Sequence, residues 1–273
     1  MAVRLGVCSW SLEPAGPRDL VERLRAARAD AVQLHLDPLR DAWKPDETAA
    51  LLREAGIEIA SGMMGMAGED YTTLESIRRT GGVRPDDTWR ANLAAAEANA
   101  EIAESLGLDL VTFHAGFIPE ESDDPERSKV LDRLRELRRV FNGRGVAIAL
   151  ETGQETAQTL LEALDELDGV GVNFDPANMI LYGMGDPHEA LRTLGPHVSQ
   201  LHVKDATPTP RPGEWGEEVR VGEGAVDWPA FVSIADSVCP RATMMIEREA
   251  GDQRIEDIRA ARAVIEPLLG GAA

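Results

Sequence analysis

The sequence predicts an α/β fold, a (β/α)8 TIM barrel with one domain over residues 1–273, and three observations lead to this prediction. Short apolar segments alternate with amphipathic helical segments eight times along the chain. The length of 273 residues suits one barrel of this type, which needs about 250 residues. Four of the apolar segments end in a residue that can bind a metal ion, as expected where barrel strands meet at one rim.

Eight segments have the length and the apolar content of buried strands. The predicted strands cover residues 3–9, 31–36, 57–63, 110–114, 146–151, 170–175, 198–204 and 242–247. Because helical segments separate consecutive strands, we expect the strands to run parallel. Eight alternating units in a chain of this size favour a closed barrel over an open sheet.

The helical segments carry apolar residues three and four positions apart. The clearest cover residues 20–29, 89–107 and 130–142, and a last helix over about residues 254–269 closes the ring. Three segments begin with an Asp at the position that caps a helix N-terminus. These residues are Asp124, Asp186 and Asp227.

Two connections, over residues 65–87 and 206–224, exceed the roughly two to six residues that usually join a strand to the next helix. Each connection follows a predicted strand, so each should lie at the rim where the strands end. Long loops at this rim often cover a ligand site. We therefore predict that both loops border such a site.

Side chains alternate between the two faces of a strand, so the phase of each segment indicates which residues point into the barrel. In the segment VAIALE, the bulky Val and Leu positions share one face, and the two Ala positions share the other face with Glu151. Three later strands show the same separation of bulky residues from small or polar ones. On the small or polar face they carry Asp175, His202 and Glu247. All four residues are expected at the inner face of the rim.

Three carboxylates and one imidazole form a donor set that suits one divalent metal ion. Mn²⁺ is the best match, Mg²⁺ or Co²⁺ also fit, and Zn²⁺ usually recruits more Cys or His. Each residue alone has an ordinary structural explanation. Glu151 could be a solvated charge beside a capping Thr152, and Asp175 before Pro176 could form an Asx-turn. His202 could be a core histidine bonded to backbone, and Glu247 could join a salt-bridge network.

Five further residues are candidates for substrate contacts at the same rim. They are Trp10, His114, Asn178, Lys204 and Arg220. His114 has the inward phase and could instead be a second metal ligand or a structural histidine. Lys204 could hold an oxyanion or form an ion pair with a neighbouring acid. Trp10 could form an apolar wall for a sugar ring or simply pack.

Charge and composition exclude several partners. The formal charge is −20, from 28 basic and 48 acidic residues, which disfavours nucleic acid because its phosphates are bound by Lys and Arg. The start of the chain does not resemble a signal peptide, and no segment approaches the ~18 apolar residues of a membrane span. Two cysteines, Cys8 and Cys239, show no paired spacing, which is typical of a reducing compartment. We predict a cytoplasmic location.

Five motifs carry a resemblance to a known family over essentially the whole chain. They are ETG at Glu151, NFDPAN around Asp175, LHVKD around His202, VGEGAVDW ending at Trp228, and MIEREAGDQRIEDI around Glu247. With these motifs the chain resembles the sugar phosphate isomerase/epimerase superfamily, the xylose isomerase-like TIM barrels.

The resemblance implies specific roles for the four rim residues. In ketose 3-epimerases of this superfamily, the matching Glu, Asp, His and Glu bind one divalent metal, and the two glutamates act as acid and base. On that pattern Glu151, Asp175, His202 and Glu247 are the metal ligands here, and Glu151 and Glu247 are the catalytic residues. Many relatives have His where this chain has Asn178. The related endonuclease branch uses an Asp–x–His pair that this chain lacks, which argues against a DNA-repair nuclease.

The expected function is a divalent-metal-dependent sugar isomerase or epimerase, which acts on a keto-sugar or related polyol through an enediolate. Proton return to the opposite face gives epimerisation, and return to the adjacent carbon gives isomerisation. Loss of a β-hydroxyl gives dehydration, as in inosose dehydratases of the superfamily. A non-catalytic carbohydrate-binding barrel is the alternative from another class. The expected partner is a small sugar or polyol, and relatives are often homo-oligomers.

Overall fold

Eight parallel strands close into a barrel in the computed structural model of this chain, which describes residues 5–211 and 213–269. The barrel strands are β1 (Leu5–Cys8), β2 (Ala31–His35), β3 (Glu58–Met63), β4 (Leu110–Phe113), β5 (Ala147–Glu151), β6 (Gly171–Phe174), β7 (Val198–Val203) and β10 (Thr243–Ile246). Each strand pairs with its neighbour in chain order, and β10 pairs with β1 to complete the ring. The predicted single-domain TIM barrel is confirmed, with strand ends within about two residues of those expected.

Helices surround the barrel and connect its strands. They are α1 (Pro17–Ala26), α2 (Asp37–Asp41), α3 (Pro45–Glu54), α4 (Leu74–Thr80), α5 (Asp86–Leu106), α6 (Pro125–Asn142), α7 (Ala157–Leu167), α8 (Pro176–Tyr182), α9 (Pro187–Leu194), α10 (Trp228–Val238) and α11 (Arg254–Leu269). Side chains of the three predicted capping residues accept backbone N–H groups at the starts of α6, α9 and α10. These residues are Asp124, Asp186 and Asp227. They satisfy donors that a helix start leaves without an intrahelical partner.

The barrel interior is polar, unlike the layer between barrel and helices. Bulky residues of the outer strand faces, such as Val111, Phe113 and Ile148, are fully buried in the apolar core. Inward positions instead carry a chain of hydrogen bonds. Ser61 Oγ donates to Gln200 Oε1 at 2.6 Å, and Gln200 Nε2 donates to the Asn173 side chain at 3.1 Å. This network forms a rigid base beneath the rim, because buried amides with satisfied partners hold one arrangement.

Both long loops contain regular structure. The first includes α4, whose start has a reciprocal capping box between Thr73 and Ser76. The second forms an antiparallel hairpin of β8 (Asp205–Thr207) and β9 (Glu217–Val219). Both loops contribute residues to the cavity at the rim, as the sequence predicts.

Asp205 anchors the second loop to the end of β7. Its buried carboxylate accepts five hydrogen bonds, from the backbone N–H groups of Ala206, Gly222, Gly224 and Val226 and from the indole of Trp228. A Cβ atom at Gly224 would lie 2.0 Å from Asp205 Oδ1, so this close approach requires glycine. Among the described helices, none has both the length and the apolar character needed to cross a bilayer.

Candidate metal centre

The four rim residues singled out in the sequence come together in space. Glu151 ends β5, Asp175 follows β6, His202 lies in β7, and Glu247 follows β10. One potential ligand atom from each lies within 4.8 Å of the others, and all four residues are buried. The cluster arises because adjacent parallel strands place their C-terminal ends at one rim.

The imidazole of His202 is held by one ring nitrogen and presents the other to the carboxylates. Its Nε2 lies 2.9 Å from Gln33 Oε1 and 3.0 Å from Asn173 Nδ2, and these two side chains orient the ring. Its Nδ1 lies 3.3 Å from Glu247 Oε2, 3.4 Å from Asp175 Oδ2 and 3.5 Å from Glu151 Oε1. A hydrogen bond behind the ring that leaves the opposite lone pair free is the usual support of a histidine ligand.

Two atoms of the cluster are buried without a hydrogen-bond partner among the described residues: Asp175 Oδ2 and His202 Nδ1. The two carboxylate oxygens of Asp175 have different roles. Oδ1 accepts the backbone N–H of Asn178 and caps α8, whereas Oδ2 faces the cluster. The Asx-turn explanation is therefore correct for one oxygen only. Buried polar atoms rarely lack partners, and a divalent cation would satisfy both atoms at once. The residues present fit such an ion.

Asp175 and Glu247 are both buried acids, but their surroundings shift the pKa values of the two carboxyl groups in opposite directions. Burial raises the pKa of Asp175 to about 6, against the opposing effect of Lys204. Burial also acts to raise the pKa of Glu247, yet the Lys204 ammonium and the His202 imidazole hold it well below its usual range. Lys204 Nζ lies 2.9 Å from Glu247 Oε2 and 2.5 Å from the carboxylate of Glu249. The ion-pair explanation for Lys204 is thus borne out by the geometry.

Glu151 is surrounded by neutral donors and histidines. Asn178 Nδ2 donates to Oε1 at 3.0 Å, and Asn173 Nδ2 donates to Oε2 at 3.2 Å. His114 Nε2 lies 3.4 Å from Oε1. Burial acts to raise the pKa of Glu151, but His114 and His202 bring it below its ordinary value. Thr152 does not cap the following helix as the sequence suggested. Thr156 caps α7, and the Thr152 hydroxyl instead accepts the backbone N–H of Asp175.

A cavity of about 430 Å³ opens above the cluster. Glu247 is the one candidate metal ligand that lines it, and the other three lie beneath. Four of the five residues predicted to contact substrate also line it, namely Trp10, His114, Asn178 and Lys204. Trp10 Nε1 donates to Glu247 Oε1 at 2.6 Å, so Trp10 positions this carboxylate as well as lining the cavity.

Arg220 is the exception among the predicted contacts. Its guanidinium lies 2.5 Å from Asp257 Oδ1, and the residue does not line the cavity. A substrate contact by Arg220 therefore stays a prediction that this arrangement does not support. The sequence analysis also missed Glu69, Tyr71 and Glu218, which line the cavity from the two long loops. Loop length indicated these segments, but loops lack the strand periodicity that identifies inward residues.

Comparison with known proteins places this geometry in a family. The model of the xylose isomerase-like TIM barrel family matches residues 21–268. The chain belongs to this family. The crystal structure of a xylose isomerase domain protein from Planctomyces limnophilus is 32% identical, with a TM-score of 0.90 and coverage of 98% of both chains. The uncharacterized protein YihM of Escherichia coli (strain K12) is 25% identical over 151 residues, 54% of this chain. That match spans 45% of the length of YihM.

Other solved structures share the fold at low sequence identity. L-ribulose 3-epimerase is 16% identical with a TM-score of 0.75, covering 98% of this chain and 95% of that one. The probable 3-DHS dehydratase AsbF of Bacillus anthracis is 17% identical with a TM-score of 0.73, covering 96% and 98%. Identities this low show the barrel fold alone. Proteins with this barrel fold therefore include an epimerase and a probable dehydratase.

Proposed function

We propose that this protein is a divalent-metal-dependent sugar isomerase or epimerase that acts on a keto-sugar or related polyol. The observation that carries the proposal is the buried cluster of three carboxylates and one imidazole, with two unpartnered ligand atoms, beneath a cavity. A non-catalytic sugar-binding barrel has no need of such a cluster. The epimerase among the solved structures supports the same reading.

Glu151, Asp175, His202 and Glu247 would hold the ion, and Mn²⁺ suits this set best, with Mg²⁺, Co²⁺ or Zn²⁺ as alternatives. The ion would supply Lewis-acid polarisation of a substrate carbonyl and stabilise the charge that develops on its oxygen. Gln33 orients His202, and Asn178 and Asn173 orient Glu151.

Glu247 is the residue best placed to move a proton at the substrate, because it lines the cavity and is ionised beside Lys204. It removes the proton from the carbon next to the carbonyl. Glu151 Oε1 lies 3.5 Å and Glu247 Oε2 3.3 Å from His202 Nδ1. In the two-carboxylate mechanism the proton would return from Glu151 in its protonated form, and otherwise from Glu247 itself. Lys204 and His114 line the same floor and are placed to contact substrate oxygens.

Metal content is the decisive measurement. Wild type, His202→Ala and the control His197→Ala would be loaded with Mn²⁺, freed of loose ion and analysed for metal per chain. We expect about one ion in wild type and in the control, and loss in His202→Ala. Absence of retained metal in wild type would contradict the proposal.

The reaction would then be followed as deuterium incorporation from ²H₂O into a panel of keto-sugars, with NMR identification of products. Exchange with an inverted or migrated centre supports epimerisation or isomerisation, whereas loss of water identifies the dehydratase alternative. The cytoplasmic location and homo-oligomeric assembly stay predictions.

A further inference from the structure

The cavity above the metal centre has two unlike sides. Its floor is polar and consists of Glu247, Lys204, Asn178 and His114. One side is a wall of apolar and aromatic side chains, which we call the apolar wall. It consists of Leu181, Tyr182 and Trp215, which pack in one apolar cluster. A sugar ring can pack a C–H face on such a wall, but each hydroxyl group that points into the wall would lose water without gaining a hydrogen bond.

The apolar wall is a packed feature of the fold. The rings of Tyr182 and Trp215 meet edge to face with centroids 4.7 Å apart, and Phe117 supports Tyr182 from behind at 5.8 Å. Tyr182 is 8% exposed. The wall is therefore held in place and does not depend on a mobile side chain at the surface.

Tyr71 extends this apolar character to the mouth of the cavity. It is the one large apolar or aromatic side chain that is exposed among the described residues, with 45% of its surface accessible. It also lines the cavity, and its ring lies 6.5 Å from that of His114. An exposed aromatic at the entrance of a cavity is a common sign of ligand contact.

The charges around the cavity disfavour an anionic ligand. Lys204 is the one Lys or Arg among the described lining residues, and it is already paired with Glu247 and Glu249. Glu69 and Glu218 add further carboxylates to the lining. Among the described lining residues, neither a phosphate nor a carboxylate would find an unpaired Lys or Arg.

We infer that the substrate is a keto-sugar that carries an uncharged apolar substituent, such as an alkyl or aryl glycoside with a ketone at another ring carbon. The sugar part lies on the polar floor, and the substituent lies along the apolar wall towards Tyr71. The sugar part of this inference rests on the proposed function. The apolar substituent is inferred from the apolar wall alone. A cavity of 430 Å³ is within the range of about 300–1,000 Å³ that accommodates ligands of this size.

Binding of n-alkyl β-D-glucosides from methyl to hexyl tests the inference without turnover. Affinities would be measured by calorimetry on the Mn²⁺-treated protein. Burial of each methylene against the wall should raise the affinity about fourfold, the value expected for transfer from water to an apolar site. A glucoside whose chain ends in a carboxylate should bind more weakly than hexyl glucoside.

Leu181→Asn places a polar group of similar size in the wall, and Leu161→Asn makes the same change at a partly buried position outside the cavity. We expect the affinity gain per methylene to fall below about twofold in Leu181→Asn and to stay near fourfold in Leu161→Asn. Thermal unfolding of both variants shows whether they remain folded. A second wall variant, Trp215→Ser, covers the case in which Leu181→Asn does not fold.

Affinity that does not change with chain length in wild type would overturn the inference, and so would binding by no member of the series. An equal gain in wild type and in both wall variants would also overturn it, because the wall would not be the contact. None of these results affects the metal and deuterium-exchange measurements, so a failure of the proposed function remains distinguishable.

Discussion

Two buried acids that follow the neighbouring strands β6 and β7 have opposite hydrogen-bonding environments. Asp205 is fully buried, and its carboxylate accepts five hydrogen bonds from the loop that it anchors. Asp175 is equally buried, and its Oδ2 has no hydrogen-bond partner among the described residues. Burial alone thus does not separate a structural acid from a candidate ligand. The difference lies in whether the protein itself satisfies the carboxylate.

The largest expected effect is a loss of turnover, which should follow substitution of acids in the metal cluster and not of acids elsewhere. Glu247→Gln and Glu151→Gln should each reduce turnover by about 10²–10⁴-fold, because an amide cannot accept the substrate proton. The control is Glu189→Gln, at an exposed side chain of α9, which should leave turnover unchanged. Steady-state rates on a substrate found by deuterium exchange make the comparison. Turnover near the wild-type level in either cluster variant would exclude that residue as an essential acid or base.

The next effect addresses the comparison of Asp205 with Asp175 directly. Asp205→Asn turns an amide towards backbone donors and should lower the free energy of unfolding by about 3 kcal/mol. In metal-free protein, Asp175→Asn should cost much less, because it removes a buried charge and keeps an oxygen able to cap α8. Urea unfolding in the presence of a chelator measures both. Equal destabilisation of the two variants would mean that the free oxygen of Asp175 has an unrecognised structural role.

Glu155 is a third buried acid, and it belongs neither to the loop anchor of Asp205 nor to the metal cluster. Burial raises its pKa to about 8. The folded protein therefore holds the proton more tightly than the unfolded chain, and the free energy of unfolding should fall as pH rises from about 4.5 to about 8. Glu155→Gln should remove this contribution. Its stability relative to wild type should increase across that window by up to a few kcal/mol. A constant difference would show that Glu155 stays ionised.

The smallest effect concerns Arg220. Its guanidinium is 42% exposed and pairs with Asp257, which also pairs with Arg248. Arg220→Ala should therefore change the free energy of unfolding by less than about 1 kcal/mol. We also expect KM to change by less than about twofold, since the side chain does not line the cavity. A large rise in KM would restore the substrate contact that the sequence predicts.

The sequence by itself determined the barrel and the four rim candidates. Strand phase depends only on alternation along a few residues, so Glu151, Asp175 and Glu247 could be assigned to the inner face without knowledge of any contact. The helix start at Asp124 could be predicted in the same way, because the capping signal lies within a few neighbouring residues. Parallel strands then bring residues that are far apart in the chain to one rim, which is why the cluster could be anticipated.

Only the tertiary structure decided how each side chain is used. Gln33, from β2, and Asn173, from β6, contact Nε2 of His202 and orient the ring, and the Gln33 contact spans 169 residues. The free oxygen of Asp175, the ion pair of Arg220 and the apolar wall likewise depend on packing between separate loops and helices. Rotamers and loop positions follow from such long-range contacts, and no short period in the sequence encodes them.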